Sequence, residues 1–546
     1  MFYRLAWARA AWRAFGHDRK LATPVVYDAG GSVVAILPLV NVAGTLRFAG
    51  WPTTDYNDIL VAPNADVAIL RTVLATLDEI RPRWRSARLD NLPEHSELLR
   101  MVNALAQNER DRMFTIFTAP CSSVVFGENR TEILDDLAGR QSLKRHEKSL
   151  QKLGTLSFRH LESKAEAHEH LERFFLQHRD RRAVTEVASR LVHAEHAAFY
   201  HALVDEFDPC HELRFSVLEL DGEPLAYHFG FADSGKLVWY KPSFSVDWWK
   251  QSPGEVLLRQ LFGYVRQEQF TEFDFTCGDE GFKTRFANTT RRNFALLLWP
   301  GGLRGRLARA GLRTKENLKG RPRLWSLLNR IGQPVQRVTS RLRESLAQDG
   351  MLATIGKLVR RCRRMVHVRD EALVFARKRS TEQRPPPDFE LGPGKLSDLT
   401  PLASTHPDFW HPRKLQGARQ RLQSGDKLFI ARRADQILHV AWLATREQIA
   451  CTSEVGPEPV ITLPQPVSVI YDCWTPPDHR GQGIYQAVLH ALVAHAPASV
   501  EETWIWCARS NGASAKAITR AGFILRARLG CRRWFGRRQR TWLEMQ

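Results

Sequence analysis

Six consecutive residues near the C-terminus, Arg480–Tyr485 (RGQGIY), have the types and spacing of a phosphate-binding turn. The turn follows an apolar run at 468–474 and precedes a helix-like run at 486–494. Strand, turn and helix in this order point several backbone N–H groups and the positive end of a helix dipole at one place. Gly481 and Gly483 let the backbone close on phosphate oxygens without a Cβ in the way. The pattern predicts a pyrophosphate site.

The turn fits the pattern Q/R-x-x-G-x-G/A except at its last position, where Tyr485 replaces a small residue. Downstream, 511–514 and 520–523 fit N-x-x-A…K-x-G-F, with Ser514 for Ala and Arg520 for Lys. Residues 390–546 therefore resemble a domain of the GNAT superfamily of N-acetyltransferases. The resemblance implies acetyl-CoA or another acyl-CoA as co-substrate. It also implies a set of cofactor-binding residues: Trp474, Thr475, Arg480, Gly481, Gln482, Gly483, Ile484, Tyr485 and Asn511.

Acyl transfer to an amine needs a base that neutralises the amine and donors that polarise the thioester carbonyl. Asp472 is the candidate base because it lies on the strand that would line the acceptor site; a solvated or capping Asp is the alternative. The family's frequent Tyr acid falls at Ile518, which cannot donate a proton. Either Tyr485, Tyr471 or Cys473 takes that role, or the thiolate leaves unassisted.

A second constellation combines Ser252-Pro253-Gly254 with the segment Phe273–Lys283 (FDFTCGDEGFK). It resembles the S-P-G…F-D-F-x-x-G-D-E-x-Y-K signature of the cellulose-biosynthesis acetyltransferase (CelD/BcsL) family, with Phe282 where Tyr is usual. This resemblance spans about 1–298. The family is similar to FemAB-type aminoacyltransferases, which pair two GNAT-like halves. The CelD/BcsL resemblance implies a role in bacterial surface-polysaccharide biosynthesis.

Four residues of this first half are candidate catalytic groups. Asp274 and Lys283 are expected to act as base and as oxyanion or phosphate contact, or to form a structural ion pair. His178 and Arg181 lie within one helical turn, so both could face one cleft; a lone surface histidine is the alternative. The helix start at Ser252–Gly254 would either bind phosphate or carboxylate or simply cap the helix.

The net charge of +20 is concentrated in one segment. Residues 303–380 hold 21 Lys and Arg against 5 Asp and Glu, a surplus of 16. Helical periodicity there favours a basic connector that contacts an anionic membrane surface. The same charges suit nucleic acid, in particular a tRNA donor, or a solvated spacer. Aromatic residues for base stacking are scarce in the segment, which disfavours single-stranded nucleic acid.

Single, scattered cysteines lack metal-ligand spacing and favour a reducing cytoplasm, with no metal expected. We predict a cytoplasmic α/β (α+β) protein, peripheral at the inner membrane surface if the connector binds lipid. Its tandem GNAT-like domains contain mixed sheets. The expected acceptor is an amine or hydroxyl, such as a nucleotide-linked or lipid-linked sugar. A FemAB-like aminoacyl-tRNA-dependent transferase and a non-catalytic membrane-associated scaffold are the alternatives. The predicted domains are 1–125 (a degenerate GNAT-like half), 126–300 (a CelD/BcsL-like half), 301–384 (connector) and 385–546 (C-terminal GNAT domain).

Overall fold

The computed structural model describes residues 1–63, 65–80, 84–185, 189–300, 367–379, 388–450, 460–534 and 537–545. The chain divides into two compact units, Met1–Trp325 and Ser326–Gln546. Most of the predicted basic connector, 301–366, lies outside the described residues.

The first unit contains an 11-stranded mixed sheet in the order β1-β4-β5-β7-β14-β8-β13-β12-β11-β10-β9 and a three-stranded sheet β2-β3-β6. Their strands are β1 Arg19–Leu21, β2 Val25–Tyr27, β3 Val33–Ile36, β4 Leu39–Val42, β5 Thr45–Phe48, β6 Leu60–Val61, β7 Ser86–Pro93, β8 Met113–Val125, β9 Leu156–His160, β10 Leu213–Leu220, β11 Glu223–Asp233, β12 Lys236–Phe244, β13 Glu272–Cys277 and β14 Thr289–Leu298.

The described helices of this unit supply apolar faces to the cores on either side of the sheet. They are α1 Leu5–Phe15, α2 Val67–Glu79, α3 Glu97–Ala104, α4 Arg130–Gly139, α5 Gln141–Gln151, α6 Lys164–Ala183, α7 Ala194–Glu206, α8 Pro253–Gln267 and α9 Gly281–Phe286. In one core, Trp7 of α1 packs edge-on against Phe199 of α7.

Strand β14 joins the two halves predicted at 1–125 and 126–300. It pairs antiparallel with β7 on one side and with β8 on the other. The division at 125 stays a prediction, but the sheet continues across it without a break. Pairings between strands far apart in sequence leave no local pattern, which is why the sequence did not indicate this one.

The second unit is an eight-stranded mixed sheet in the order β16-β17-β18-β19-β20-β15-β21-β22. Its strands are β15 His367–Lys378, β16 Glu390–Pro393, β17 Lys427–Arg433, β18 Gln436–Ala450, β19 Val460–Trp474, β20 Glu502–Ala508, β21 Ile524–Trp534 and β22 Arg537–Met545. Its described helices are α10 Leu396–Leu399, α11 Leu402–Thr405, α12 Pro412–Gln423, α13 Ile484–Ala494 and α14 Gly512–Arg520.

Strand β15 corrects one feature of the predicted connector. Residues 367–378 fall inside the interval expected to be helical, 301–384, but they form a strand between β20 and β21. Ala372, Val374 and Ala376 pack in one core cluster and Phe375 between them packs in another, which is the alternation of a strand. The charge count over 303–380 hid this alternation. The two mixed sheets with covering helices confirm the predicted fold class.

Candidate functional site

The predicted pyrophosphate turn of the second unit connects β19 to α13. Gly481 and Gly483 have φ values of +78° and +77°, in the left-handed region that favours glycine. A Cβ built on either glycine would meet no atom within 4 Å. Arg480 is exposed, and its Nε donates to the Thr475 carbonyl at 3.1 Å. The turn therefore leaves open space over its backbone.

The amides of this turn are not used by the fold. Within the described part of the chain, the N–H groups of residues 481–486 have no hydrogen-bond acceptor, and the first bonded amide is that of Ala487, to the Gly483 carbonyl. Residues 481–483 are exposed, and Ile484 is buried as the first residue of α13. Consecutive free donors at a helix N-terminus attract an anion.

The sheet separates next to this turn. Strands β19 and β20 pair in parallel at Ser468–Ile470 with Thr503–Ile505 and have no register pairs beyond Ile470. A bulge follows in β19, where Asp472 and Cys473 oppose a single residue of β18. Asp472 has φ +48°. A bulge disrupts the ladder and re-aims side chains, so a gap opens between the strands.

Asp472 does not have the surroundings of a free base. Its Oδ1 lies 2.5 Å from Lys414 Nζ, and its Oδ2 accepts a hydrogen bond from Arg421 Nη1; both cations belong to α12. Burial alone would raise the pKa of Asp472, but the charges of Lys414 and Arg421 outweigh it and hold the pKa below its ordinary value. A carboxylate with a lowered pKa is a weak proton acceptor, which disfavours the predicted role.

The structure separates the candidate acids. Tyr485 Oη lies 3.2 Å from Ser514 Oγ, and Tyr485 packs in the same core cluster as Cys473. Tyr471 belongs to a different cluster, and its hydroxyl donates to Asp426. Ile518 is fully buried. Burial raises the pKa of Tyr485, so its hydroxyl stays protonated at neutral pH. Tyr485 is the described hydroxyl best placed between β19 and α14.

His439 was missed by the sequence analysis. Its ring stacks on Tyr485 with centroids 5.4 Å apart, and its Nδ1 lies 2.7 Å from Thr475 Oγ1. Burial lowers the pKa of His439 to about 3, so the ring is neutral. The available signal was a histidine inside the apolar run of β18.

Two other predicted contacts are occupied by structural partners. Trp474 is buried and stacks on Phe409, with centroids 5.4 Å apart. The Asn511 side-chain oxygen accepts from the Ser514 amide at 3.2 Å and caps α14. Their roles in cofactor binding stay predictions.

In the first unit, Asp274 and Lys283 have separate partners. Asp274 Oδ1 accepts from Tyr56 Oη at 2.9 Å and from the Thr276 amide at 2.7 Å. Lys283 Nζ donates to the Cys277 carbonyl at 2.8 Å and lies 2.9 Å from Glu280. Burial raises the pKa of Asp274 to about 6. The predicted ion pair between Asp274 and Lys283 is wrong, because each is satisfied by neighbours closer in space.

Neighbouring contacts attach residues 55–56, in the loop after β5, to the segment 273–283. Cys277 Sγ donates to the Asp55 carbonyl at 3.0 Å, and the Asn293 side-chain amide donates to the same oxygen at 2.9 Å. With Tyr56 on Asp274, the 55–56 turn is attached to β13 and β14. These contacts join residues more than 200 positions apart, so no local pattern in the sequence indicates them.

His178 and Arg181 point to different surroundings. His178 lines a cavity and its Nδ1 lies 2.8 Å from Ser189 Oγ. Arg181 Nη1 donates to the Pro242 carbonyl at 2.7 Å, and its guanidinium lies 4.7 Å from the centre of the Phe244 ring. The expectation of one shared cleft is wrong; Arg182 is the α6 arginine that lines the cavity with His178.

The helix start at Ser252–Gly254 is closed. Ser252 has φ +51° and makes no side-chain cap hydrogen bond. Pro253 has no N–H, and the amides of Glu255 and Val256 already bond to the Ser252 carbonyl at 2.9 and 3.3 Å. A Cβ on Gly254 would meet Phe244 Cδ1 at 3.1 Å. Neither expectation, side-chain capping or an open anion site, describes this start.

Comparisons with known proteins place family matches on both units. A family model described as Acetyltransferase (GNAT) domain matches residues 138–284. A second, described as Acetyltransferase (GNAT) family, matches residues 400–523. No curated protein matches the chain.

Solved structures with similar folds are distant in sequence. FemX is 11% identical over 54% of this chain and 91% of its own, with a TM-score of 0.38. L-PGS from Bacillus licheniformis is 12% identical over 54% and 91%, with a TM-score of 0.33. A tandem GNAT protein from the clavulanic acid biosynthesis pathway is 12% identical over 55% and 88%, with a TM-score of 0.35. With scores this low, these likenesses carry nothing about substrates.

The described residues contain no helix that is long and apolar enough to cross a bilayer. They also contain no cluster of three or more side chains suited to hold a metal ion.

Proposed function

The chain belongs to the GNAT superfamily of acyltransferases and carries two domains of that type, and we propose that its C-terminal domain transfers an acyl group from acyl-CoA to an amine or hydroxyl. The observation that carries the proposal is the open turn of residues 480–486. The amides of residues 481–486 lack acceptors among the described residues, and a left-handed glycine precedes α13. These features suit the diphosphate of coenzyme A.

In the proposed reaction, the acceptor nitrogen or oxygen forms a bond to the thioester carbonyl carbon, and the carbon–sulfur bond breaks. The leaving thiolate takes a proton from the Tyr485 hydroxyl, which a raised pKa keeps protonated until that moment. The proton that the acceptor nitrogen or oxygen loses passes to solvent water, which returns one to the Tyr485 oxygen, so that one proton moves overall from the acceptor to the thiol of coenzyme A. Asp472, paired with Lys414 and Arg421, orders the acceptor side of the bulge rather than taking the acceptor's proton.

The finer parts of the proposal come from the sequence. The CelD/BcsL resemblance of 1–298 supports a nucleotide-linked or lipid-linked sugar as acceptor and a role in surface-polysaccharide biosynthesis. Contact with an anionic membrane through 303–380 and a cytoplasmic location belong to the same proposal.

Calorimetric titration of the full chain with acetyl-CoA tests the site. Arg480→Glu places a carboxylate beside the turn and should abolish measurable binding, since like charges repel. Arg433→Glu is the matched control, because Arg433 is exposed and pairs with Asp388 on another part of the second unit. Equal affinity in the Arg480 variant and the wild type would refute the placement. Salt-sensitive tRNA binding without acetyl-CoA binding would favour the FemAB-like alternative, and binding of neither would favour the scaffold.

A further inference from the structure

A cavity of about 250 Å³ in the first unit has no assigned ligand. It is bounded by the loop after β5, by α6, by the segment leading into α7 together with the start of α7, and by the middle of β12. Strand β12 pairs with β13 only at Lys236–Val238, and beyond Val238 the two strands have no register pairs with each other. The cavity lies beside β12 past this point, where Tyr240 and Lys241 face it.

Three cationic side chains line this cavity: Arg182, Arg190 and Lys241. The lining contains one carboxylate, Asp55. Within the described ranges, none of the three cations forms an ion pair with a carboxylate. Arg190 Nη1 makes a long hydrogen bond of 3.4 Å to the Pro52 carbonyl, and Lys241 Nζ lies 4.3 Å from the centre of the Tyr240 ring. Most of their donors therefore have no partner among the described residues and can bind a ligand.

Other arginines of the same unit have carboxylate or carbonyl partners. Arg159 pairs with Glu166 and Glu219, and Arg291 pairs with Glu272. Arg181, next in sequence to Arg182, donates to a carbonyl. Unpaired cations that converge on a concave surface raise the local concentration of anions.

The pKa values of the two histidines in the cavity are lowered in part by these cations. The pKa of His178 is lowered to about 3, first by burial and then by Arg182, Arg181 and Lys241. The pKa of His196 is lowered to about 4, first by burial and then by Arg190 and His193. Both rings are therefore neutral at pH 7 and serve as hydrogen-bonding groups rather than charges.

We propose that this cavity binds the phosphoryl or diphosphate group of a small molecule, held by Arg182, Arg190 and Lys241. Two guanidinium groups and an ammonium suit the several oxygens of such a group better than a single carboxylate. A second cavity of about 280 Å³ shares Pro52 and Arg190 with the first, and Trp51, Asn57 and Asp90 line it. It offers aromatic and hydrogen-bonding surface to the rest of the molecule. The inference does not depend on acyl transfer by the C-terminal domain.

Inorganic pyrophosphate is the probe, titrated calorimetrically into the full chain. The titration uses a Gly483→Val background, which removes the turn of the second unit as a competing site. We expect saturable binding, and at least a tenfold loss of affinity in Arg190→Gln and in Lys241→Gln. Arg173→Gln is the matched control on α6: Arg173 is exposed, lies outside the cavity lining and should leave the affinity unchanged.

Arg190 is exposed, so its variant should fold normally, and equal unfolding midpoints confirm this. Absence of pyrophosphate binding at millimolar concentration would overturn the proposal. So would equal affinities in the parent, Arg190→Gln and Lys241→Gln chains. The experiment compares pyrophosphate affinities among variants of the first unit only. Its outcome is therefore independent of whether residues 480–486 bind acetyl-CoA.

Discussion

Helices α8 and α13 begin in the same way but leave different surfaces. Each follows the end of a strand that has separated from its parallel neighbour, and each is preceded by a residue with left-handed backbone, Ser252 or Gly483. In α8, proline, Phe244 and the Ser252 carbonyl occupy the start; in α13 the amides are free among the described residues. Two domains of one superfamily can therefore share a turn, while only one of them presents an open anion site.

Gly483→Val, at the open N-terminus of α13, has the largest expected effect on acetyl-CoA binding. A β-branched residue with φ near +77° is strained, and its side chain would occupy the space above the turn. The free variant relieves this strain by leaving the left-handed conformation, so restoring the binding conformation costs about 3 kcal/mol, which corresponds to roughly a 100-fold loss of affinity. We expect acetyl-CoA binding to fall by at least that factor in calorimetry. Gly254→Ala, at the closed start, should leave the affinity unchanged; a loss there would end the contrast between the two helices.

Tyr485→Phe removes the hydroxyl next to Ser514 without changing the ring that stacks on His439. If the hydroxyl protonates the leaving thiolate, kcat should fall about 100-fold while acetyl-CoA affinity is kept. Steady-state kinetics with the acceptor, combined with binding measurements, separates the two quantities. Retention of full kcat would remove Tyr485 as the acid.

Asp274→Asn probes the closed, first-unit side of the comparison. Both described hydrogen bonds of Asp274 go to Oδ1, so an amide oxygen can replace them. Its folded pKa, about 6, exceeds the ordinary 3.8, so its contribution to stability is present below pH 3.8 and lost as pH rises through 6. The variant should be more stable than wild type by about 2 kcal/mol at pH 8 and equal to it at pH 3.5, by urea unfolding. Unchanged stability at pH 8 would contradict the buried charge.

Asp472→Asn examines the carboxylate of the β19 bulge. Its lowered pKa means that the ion pairs stabilise the fold above pH 3.8 and are lost as pH falls through the folded pKa. The variant should lose about 1 kcal/mol at pH 7, because Lys414 and Arg421 lose their partner. Activity should fall only in proportion to the folded fraction. A loss of 100-fold or more in kcat by a folded variant would restore Asp472 as the base.

Ser252→Gly gives the smallest expected effect. Glycine relieves the left-handed strain but adds entropy to the unfolded chain, so we expect a gain of about 0.5 kcal/mol in unfolding free energy. No acetyl-CoA site should appear in the first unit, since Pro253 and Phe244 still close the helix start. A new binding event in calorimetry would show that Ser252 alone closes it.

The sequence predicted the features that have a local pattern. The glycines at 481 and 483, which have positive φ, and the strand–turn–helix order around them were both predicted from residue types and spacing. Partners across the fold were not: neither Lys414 and Arg421 for Asp472 nor Tyr56 for Asp274 leaves a signal along the chain. Helical periodicity alone also does not show which of Arg181 and Arg182 lines the cavity, because that depends on how α6 packs.

The position of β14 has a consequence for synthesis of the protein. Leu92 and Phe294 are register partners, so the neighbour of β7 leaves the ribosome about 200 residues later. At roughly 5–20 residues per second, an emerging chain waits roughly 10–40 s with that strand edge uncovered. Chaperone dependence and aggregation during expression should therefore concentrate in this interval, and early termination anywhere before residue 289 should yield an insoluble fragment.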